Sequence, residues 1–201
     1  MIKTIIFDLG GVVVGSFGKE LLENASKILE IDPTELRDSM TKYEPELQTG
    51  KIDHIEFWKK ILKDKDKAVS DEILSDLWLK PYIEKATINQ DVIDLITKLR
   101  KNYFVGCISN AQEPHNSYNR SRGLFDNFDL CLLSSEVGIR KPDKEIFELY
   151  ISKTGFTPEE MVFIDDEENL LTNAKHMGIH TIHFTNVPNL QIELQKLNIR
   201  F

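Results

Sequence analysis

The chain has 201 residues, 41% of them apolar, and a formal net charge of −8. That length suits one domain, or a domain with a smaller one inserted, and it is enough to bury a core. The acidic balance, with no strongly basic stretch, argues against nucleic acid or an anionic membrane as partner. A small anionic substrate remains open, because a metal ion and one lysine reverse the sign locally.

The chain opens on an Ile-rich apolar run that stops at Asp8 and passes into Gly10-Gly11 and a run of Val. It reads as a buried strand with a carboxylate at its carboxyl end and a backbone free to turn sharply after it. This run is too short for a signal peptide, and no stretch approaches the length of a membrane span. The two cysteines, Cys107 and Cys131, lie in apolar segments and read as buried thiols in a reducing compartment. The chain therefore reads as cytoplasmic, and its oligomeric state is open.

From about Phe17 to Lys80 the pattern is helical throughout. Leu21, Leu22, Ala25, Ile28 and Leu29 recur at helical spacing. Asp32-Pro33 is a cap followed by proline, Asp53 with Glu56 is a capping-box start, and Ser70 opens a fourth helix. Gly15-Ser16 and Lys80-Pro81 flank the four helices as hinge candidates. The segment is too long for a simple crossover between parallel strands. The expected organisation is a core of residues 1–15 and 82–201, with an inserted helical cap over 16–81.

Regular alternation follows. Helices are expected at Asp91–Lys101, Pro114–Arg122, Asp143–Lys153, Glu167–Met177 and Asn189–Leu197. Strands are expected at Tyr103–Ile108, Leu130–Leu133, Met161–Ile164 and Ile179–Phe184. This is an α/β fold: a doubly wound, mostly parallel, Rossmann-like sheet flanked by helices.

Four polar clusters fall at or beyond the carboxyl ends of these strands: Asp8, Ser109-Asn110, Arg140-Lys141-Pro142-Asp143 and Asp165-Asp166. In a parallel sheet those ends share one edge. Each alone has an ordinary reading as a turn, cap or surface residue, and Asp165-Asp166 alone suits a helix N-terminus. Together, three carboxylates in one crevice repel unless neutralised. Mg²⁺ answers this, with Asp8 and Asp166 as direct ligands, the Gly10 carbonyl as a third oxygen, and Asp165 acting through water.

In order and position these clusters resemble the motifs of the haloacid dehalogenase-like superfamily. Phe7-Asp8-Leu9-Gly10-Gly11-Val12, Cys107-Ile108-Ser109-Asn110, Arg140-Lys141-Pro142-Asp143 and Phe163-Ile164-Asp165-Asp166 match its four motifs. The helical insertion resembles its mobile cap. The finer pattern is similar to the branch holding glucose-1-phosphate phosphatases and the N-terminal domain of epoxide hydrolases. The resemblance implies a Mg²⁺-dependent phosphatase acting on a small phosphorylated metabolite, with a sugar phosphate as the finer expectation. Asp8 would attack phosphorus, Ser109 and Asn110 would hold phosphate oxygens, and Lys141 would add positive charge.

Gly10 departs from the family pattern, in which a second aspartate supplies acid–base help worth roughly 10²–10⁴-fold. Three readings follow: an acidic leaving group, a substitute such as His115, Lys19 or Glu20, or a phosphate-binding or regulatory protein with little turnover. A metal-free dehalogenase using Asp8 is disfavoured by Asp165-Asp166. Phe17, Lys19, Tyr43 and Trp58 are the candidate cap contacts to substrate.

Overall fold

The computed structural model describes residues 1–201. Five strands form one parallel sheet: β1 (Thr4–Phe7), β2 (Phe104–Ser109), β3 (Leu130–Leu133), β4 (Met161–Asp165) and β5 (His180–His183), in the order β3-β2-β1-β4-β5. The α/β expectation is met. The first strand in sequence is the middle strand in space. Phe7 pairs with Cys107 on one side and Ile164 on the other, so Asp8 leaves the sheet level with Asp165 on one side and one residue short of Ser109 on the other. That is where the strand order reverses, the position at which such sheets bind ligands.

Alternation along the strands separates two cores. Ile5, Phe7, Val105, Cys107, Val162 and Ile164 face one side of the sheet. There they pack on α5 (Gln90–Leu99) and α10 (Val187–Lys196) through Val92, Leu95, Ile96, Leu99, Leu190 and Leu194. Ile6, Ile108, Leu132 and Phe163 face the other side. They meet α8 (Lys144–Thr154) and α9 (Thr172–His176) through Ile146, Phe147, Tyr150 and Ala174. Cys107 is buried and Cys131, its neighbour across the strands, is half-buried; both are free thiols.

Gly106 serves this second side. A Cβ there would lie 2.3 Å from the Tyr150 hydroxyl, which is fixed by a 2.8 Å hydrogen bond with Thr4 Oγ1. Any side chain at position 106 would displace that ring.

The four helices between β1 and β2 are α1 (Gly18–Leu29), α2 (Pro33–Gln48), α3 (His54–Lys63) and α4 (Asp71–Lys85). Their starts follow the sequence signals. The Asp32 carboxylate accepts from Thr34 and Glu35 N–H groups, and Asp53 with Glu56 forms a complete capping box. They share a core of 13 buried residues, among them Leu36, Trp58, Ile61 and Leu74, separate from both cores of the sheet.

Two local expectations change. Helix α4 runs through Lys80-Pro81 and ends only at Lys85. Packing on both sides outweighs the missing proline N–H: Leu74, Leu77 and Trp78 face the helical core, while Tyr82 joins the sheet core. The chain then returns beside its exit, where Gly15 N–H donates to Thr87 O at 2.8 Å and Asn89 N–H to Val13 O at 2.8 Å. The expected helix over 167–177 begins instead as a 3₁₀ turn at Glu168–Leu171, and only Thr172–His176 is α-helical. Asp165 Oδ1 accepts the Glu167 N–H at 2.9 Å and Leu170 N–H returns to Glu167 O at 3.0 Å, which tightens the first turn.

His115 is neither a surface residue nor a free acid. It opens α6 (His115–Ser121) and is only 4% exposed. Its ring stacks on Tyr82 at 3.9 Å and lies parallel to Trp78 at 5.6 Å, pinning α4 to the core. Nε2 meets the Trp78 carbonyl at 3.1 Å, so it carries the proton, and Nδ1 is left to accept from Gln112. Burial outweighs that carbonyl and pushes the imidazole down to about 4.

Two outcomes are expected. Gly106→Ala should lower unfolding stability by about 1–3 kcal/mol, because a rigid buried ring must move; an unchanged denaturant midpoint would sink this account. His115 is neutral when folded and takes up a proton on unfolding below about pH 6.5. Its contribution is therefore complete above that pH and lost as pH falls toward about 4. The loss is roughly 3 kcal/mol at most. A pH series of melting temperatures on the native protein and His115→Phe checks it, the variant being expected to show the shallower decline.

Candidate active site

The site is built on Lys141, which is 1% exposed. Its Nζ donates to Asp8 Oδ1 at 2.7 Å and to Asp165 Oδ2 at 2.5 Å, and lies 5.2 Å from the centre of the Phe163 ring. It comes from the loop before α8, and that loop is fixed by Asn110 beyond β2. The Asn110 side chain accepts the Lys141 N–H at 2.8 Å and donates to the Lys141 carbonyl at 2.9 Å. Asn110 thus spends both ends of its amide on holding Lys141. Ser134, at the start of the short helix α7 (Ser134–Val137), holds the next residue, accepting the Ala111 N–H at 3.0 Å. This helix has no counterpart in the sequence expectations; at four residues it carries no periodicity.

The electrostatics follow from burial. Asp8 is 6% exposed, and its carboxyl is pushed up to about 7. Desolvation raises it, the ammonium of Lys141 opposes, and the neighbouring charge of Asp165 adds to the rise. Burial works against the charge of Lys141, but the two carboxylates outweigh it and hold the ammonium above its ordinary range. Asp166, half-buried, is raised by burial and then by Asp165. Two carboxylates share one ammonium, and a third, Asp166, stands beside them.

One oxygen from each of Asp8, Asp165 and Asp166 can be chosen so that all lie within 4.8 Å of one another. This hard-oxygen set fits Mg²⁺. The glycine turn makes room for it. Gly11 has φ +73°, and a Cβ there would fall 1.9 Å from Asp166 Oδ2. The Asp166 carboxylate occupies the space a side chain would need. Gly10 is different: a Cβ there meets nothing nearer than Asp8 Oδ2 at 3.8 Å, so the backbone would accept a larger residue.

These groups form one end of a cavity of about 310 Å³. Ser109, Asn110, Lys141, Asp8, Gly10 and Asp166 line it, and Ser109 Oγ makes no hydrogen bond within the protein. Asp165 lies beneath, fully buried. The helical segment adds Phe17, just before α1, with Met40, Glu44 and Gln48 of α2 and Trp78 of α4 to the lining.

Of the helical candidates from sequence, Phe17 reaches the cavity. Lys19 is exposed and pairs with Glu23, Tyr43 donates to Asp64 on the outer surface, and Trp58 is buried in the helical core. Glu20 is not among the lining residues. Sequence reasoning missed Glu44 and Gln48. They lie on a polar stretch of α2 that reads as a solvated face, and only the packing of that helix over Asp8 reveals them.

The profile of the haloacid dehalogenase-like hydrolase family matches residues 2–178. The D-ribitol-5-phosphate phosphatase of Bacteroides thetaiotaomicron is 29% identical over 204 residues, covering 96% of this chain and 97% of that protein. Mouse bifunctional epoxide hydrolase 2 is 28% identical over 117 residues, covering 55% of this chain but only 21% of that protein. Among solved structures, a family enzyme from Bacteroides thetaiotaomicron in complex with magnesium and inorganic phosphate superimposes with a TM-score of 0.77 at 27% identity, covering 94% of this chain and 99% of that one. No helix of the present chain is long and apolar enough to cross a membrane. With the family profile matched over nearly its whole length and that fold shared, this chain is a member of the haloacid dehalogenase-like hydrolase family.

Proposed function

We propose that the protein is a Mg²⁺-dependent phosphatase of small phosphomonoesters, sugar phosphates among them, working in the cytoplasm. The observation that carries this reading is the cluster of three carboxylates, two of them held by one buried lysine, at the end of a cavity of about 310 Å³. The phosphatase named among its relatives supports it.

In this reading Asp8 and Asp166 would hold the metal directly, the Gly10 carbonyl would supply a third oxygen, and Asp165 would act through water. When bound, the ion neutralises the phosphate and the carboxylates around it. Lys141 holds Asp8 Oδ1, which leaves Oδ2 to attack phosphorus. The bond to the leaving oxygen breaks, and that oxygen keeps the electron pair and takes a proton from solvent. Water then attacks the phosphorus of the aspartyl-phosphate, freeing Asp8 and inorganic phosphate. Ser109 Oγ donates to a phosphoryl oxygen. Asn110 contributes by positioning Lys141, which balances the developing charge. Helices α1–α4, residues 16–81 with the end of α4, act as the cap that excludes water. Its hinge is the paired backbone at Gly15 and Thr87.

A second reading, a phosphate-binding or regulatory protein with weak turnover, is favoured by one observation: Gly10 offers no acid–base group beside Asp8. A panel of phosphorylated metabolites, run with Mg²⁺ and with chelator, separates the two. The native protein is expected to exceed Asp8→Asn by ~10³-fold or more in kcat on its best substrate, and to lose that activity in chelator. Equal rates for native and Asp8→Asn on every compound would leave only the binding reading. Gly10→Asp, which the backbone accepts, should raise turnover of alkyl phosphates about tenfold more than that of p-nitrophenyl phosphate, whose leaving group needs no proton. Equal gains on both would mean that proton supply is not what limits the native protein.

A further inference from the structure

Met1 aside, the large apolar side chains left exposed are four isoleucines, Ile28, Ile73, Ile83 and Ile192. Two of them, Ile73 and Ile83, belong to α4, and they are 43% and 47% exposed. Ile28 of α1 lies across from Ile73, where the two helices frame a surface groove of about 430 Å³. Helix α4 turns Leu74, Leu77, Trp78 and Tyr82 inward. Its opposite face carries Ile73, Asp76, Lys80 and Ile83, and Asp76 and Lys80 are also open to solvent. The intervals of three, four and three residues are those of the seam along which two helices pack.

The order of these four residues decides what fits the seam. Positions 73 and 83, like 76 and 80, are placed symmetrically about 78. A second copy laid antiparallel about a two-fold axis at 78 sets Ile73 against the partner's Ile83 and Asp76 against the partner's Lys80, and each contact occurs twice. A parallel pair would instead set Asp76 on Asp76 and Lys80 on Lys80. Within one chain Lys80 Nζ donates to Asp76 Oδ2 at 2.5 Å. An ammonium has three donors, so it can hold its own Asp76 and the partner's together. Two ammoniums and two carboxylates then close a ring, with a pair of isoleucines covering each end. The like charges of Glu72 and the partner's Glu84 fall on the rim, where water and salt screen them.

We propose that the protein pairs with a second copy of itself through this outward face of α4, antiparallel about a two-fold axis at the level of Trp78. The seam covers about 15 Å of helix, which is a small interface, and dissociation on the order of 1–100 µM is expected. The pairing does not depend on the phosphatase reading. It also leaves the cavity at Asp8 free, because no residue that frames the groove lines that cavity.

Sedimentation of the native protein from about 1 to 500 µM tests it, a range that brackets that dissociation constant. The mass is expected to rise from 23.2 kDa toward twice that value. Ile73→Glu, Asp76→Lys and Lys80→Asp, each checked for folding by its melting curve, should each weaken the pairing at least tenfold, by burying a charge or by opposing like charges. Combining Asp76→Lys with Lys80→Asp restores opposite charges across the axis and should bring the pairing back to within about threefold of native. A constant 23.2 kDa throughout overturns the proposal, whether the face is then bare or covered by another protein. A dimer that the single variants leave intact places the interface elsewhere and overturns it as well. A combined variant no tighter than the two single charge variants overturns the antiparallel register.

Discussion

A lysine ammonium shielded from water and shared by two carboxylates fixes the geometry of this molecule. Lys141 reaches across 133 positions of sequence to Asp8 and 24 to Asp165. It thereby ties the ends of β1 and β4 to the loop before α8. Removing one partner from such a buried group is costly, of order 3–5 kcal/mol, because the remaining charges are left uncompensated. The arrangement is still short of positive charge, since Asp166 stands beside the other two carboxylates. The burial that lifts the Asp8 carboxyl makes the neutral acid more favourable until a cation arrives. Structure and cation demand thus come from the same desolvation.

Around that centre the chain divides its tasks by element. The sheet brings distant strand ends into register. Asn110 and Ser134 lock the loops that follow them. Gly11 yields its side-chain space to Asp166. The helical layer has its own core, joined to the sheet by α4, whose two faces serve two cores, and by the His115 stack. That division permits the helical layer to vary its inward face without disturbing the carboxylates. Glu44 and Gln48 lie on that face, remote in sequence from every motif of the sheet.

The two neighbouring glycines illustrate how similar residues answer different constraints. Gly11 is required by a positive φ and by an oxygen lying where a Cβ would be. Gly10 is under neither constraint, and its lack of a side chain is a chemical feature of the cavity. In the proposed reaction it shifts the burden of leaving-group protonation to solvent.

Much of this was legible in the residues themselves. Apolar runs ending at Asp8, Ser109 and Asp165 mark strands whose polar ends share an edge, because parallel strands impose that. The caps at Asp32, Asp53 and Ser70 form where the sequence puts them, because capping is a contact of neighbours along the chain. What the tertiary structure alone decided are the contacts between segments far apart. It carried α4 past Pro81, buried and deprotonated His115, turned Asn110 inward to Lys141, and set Gln48 over the cleft. None of these has a local signal, since each depends on which face of one element meets another, and periodicity fixes the face without naming the neighbour.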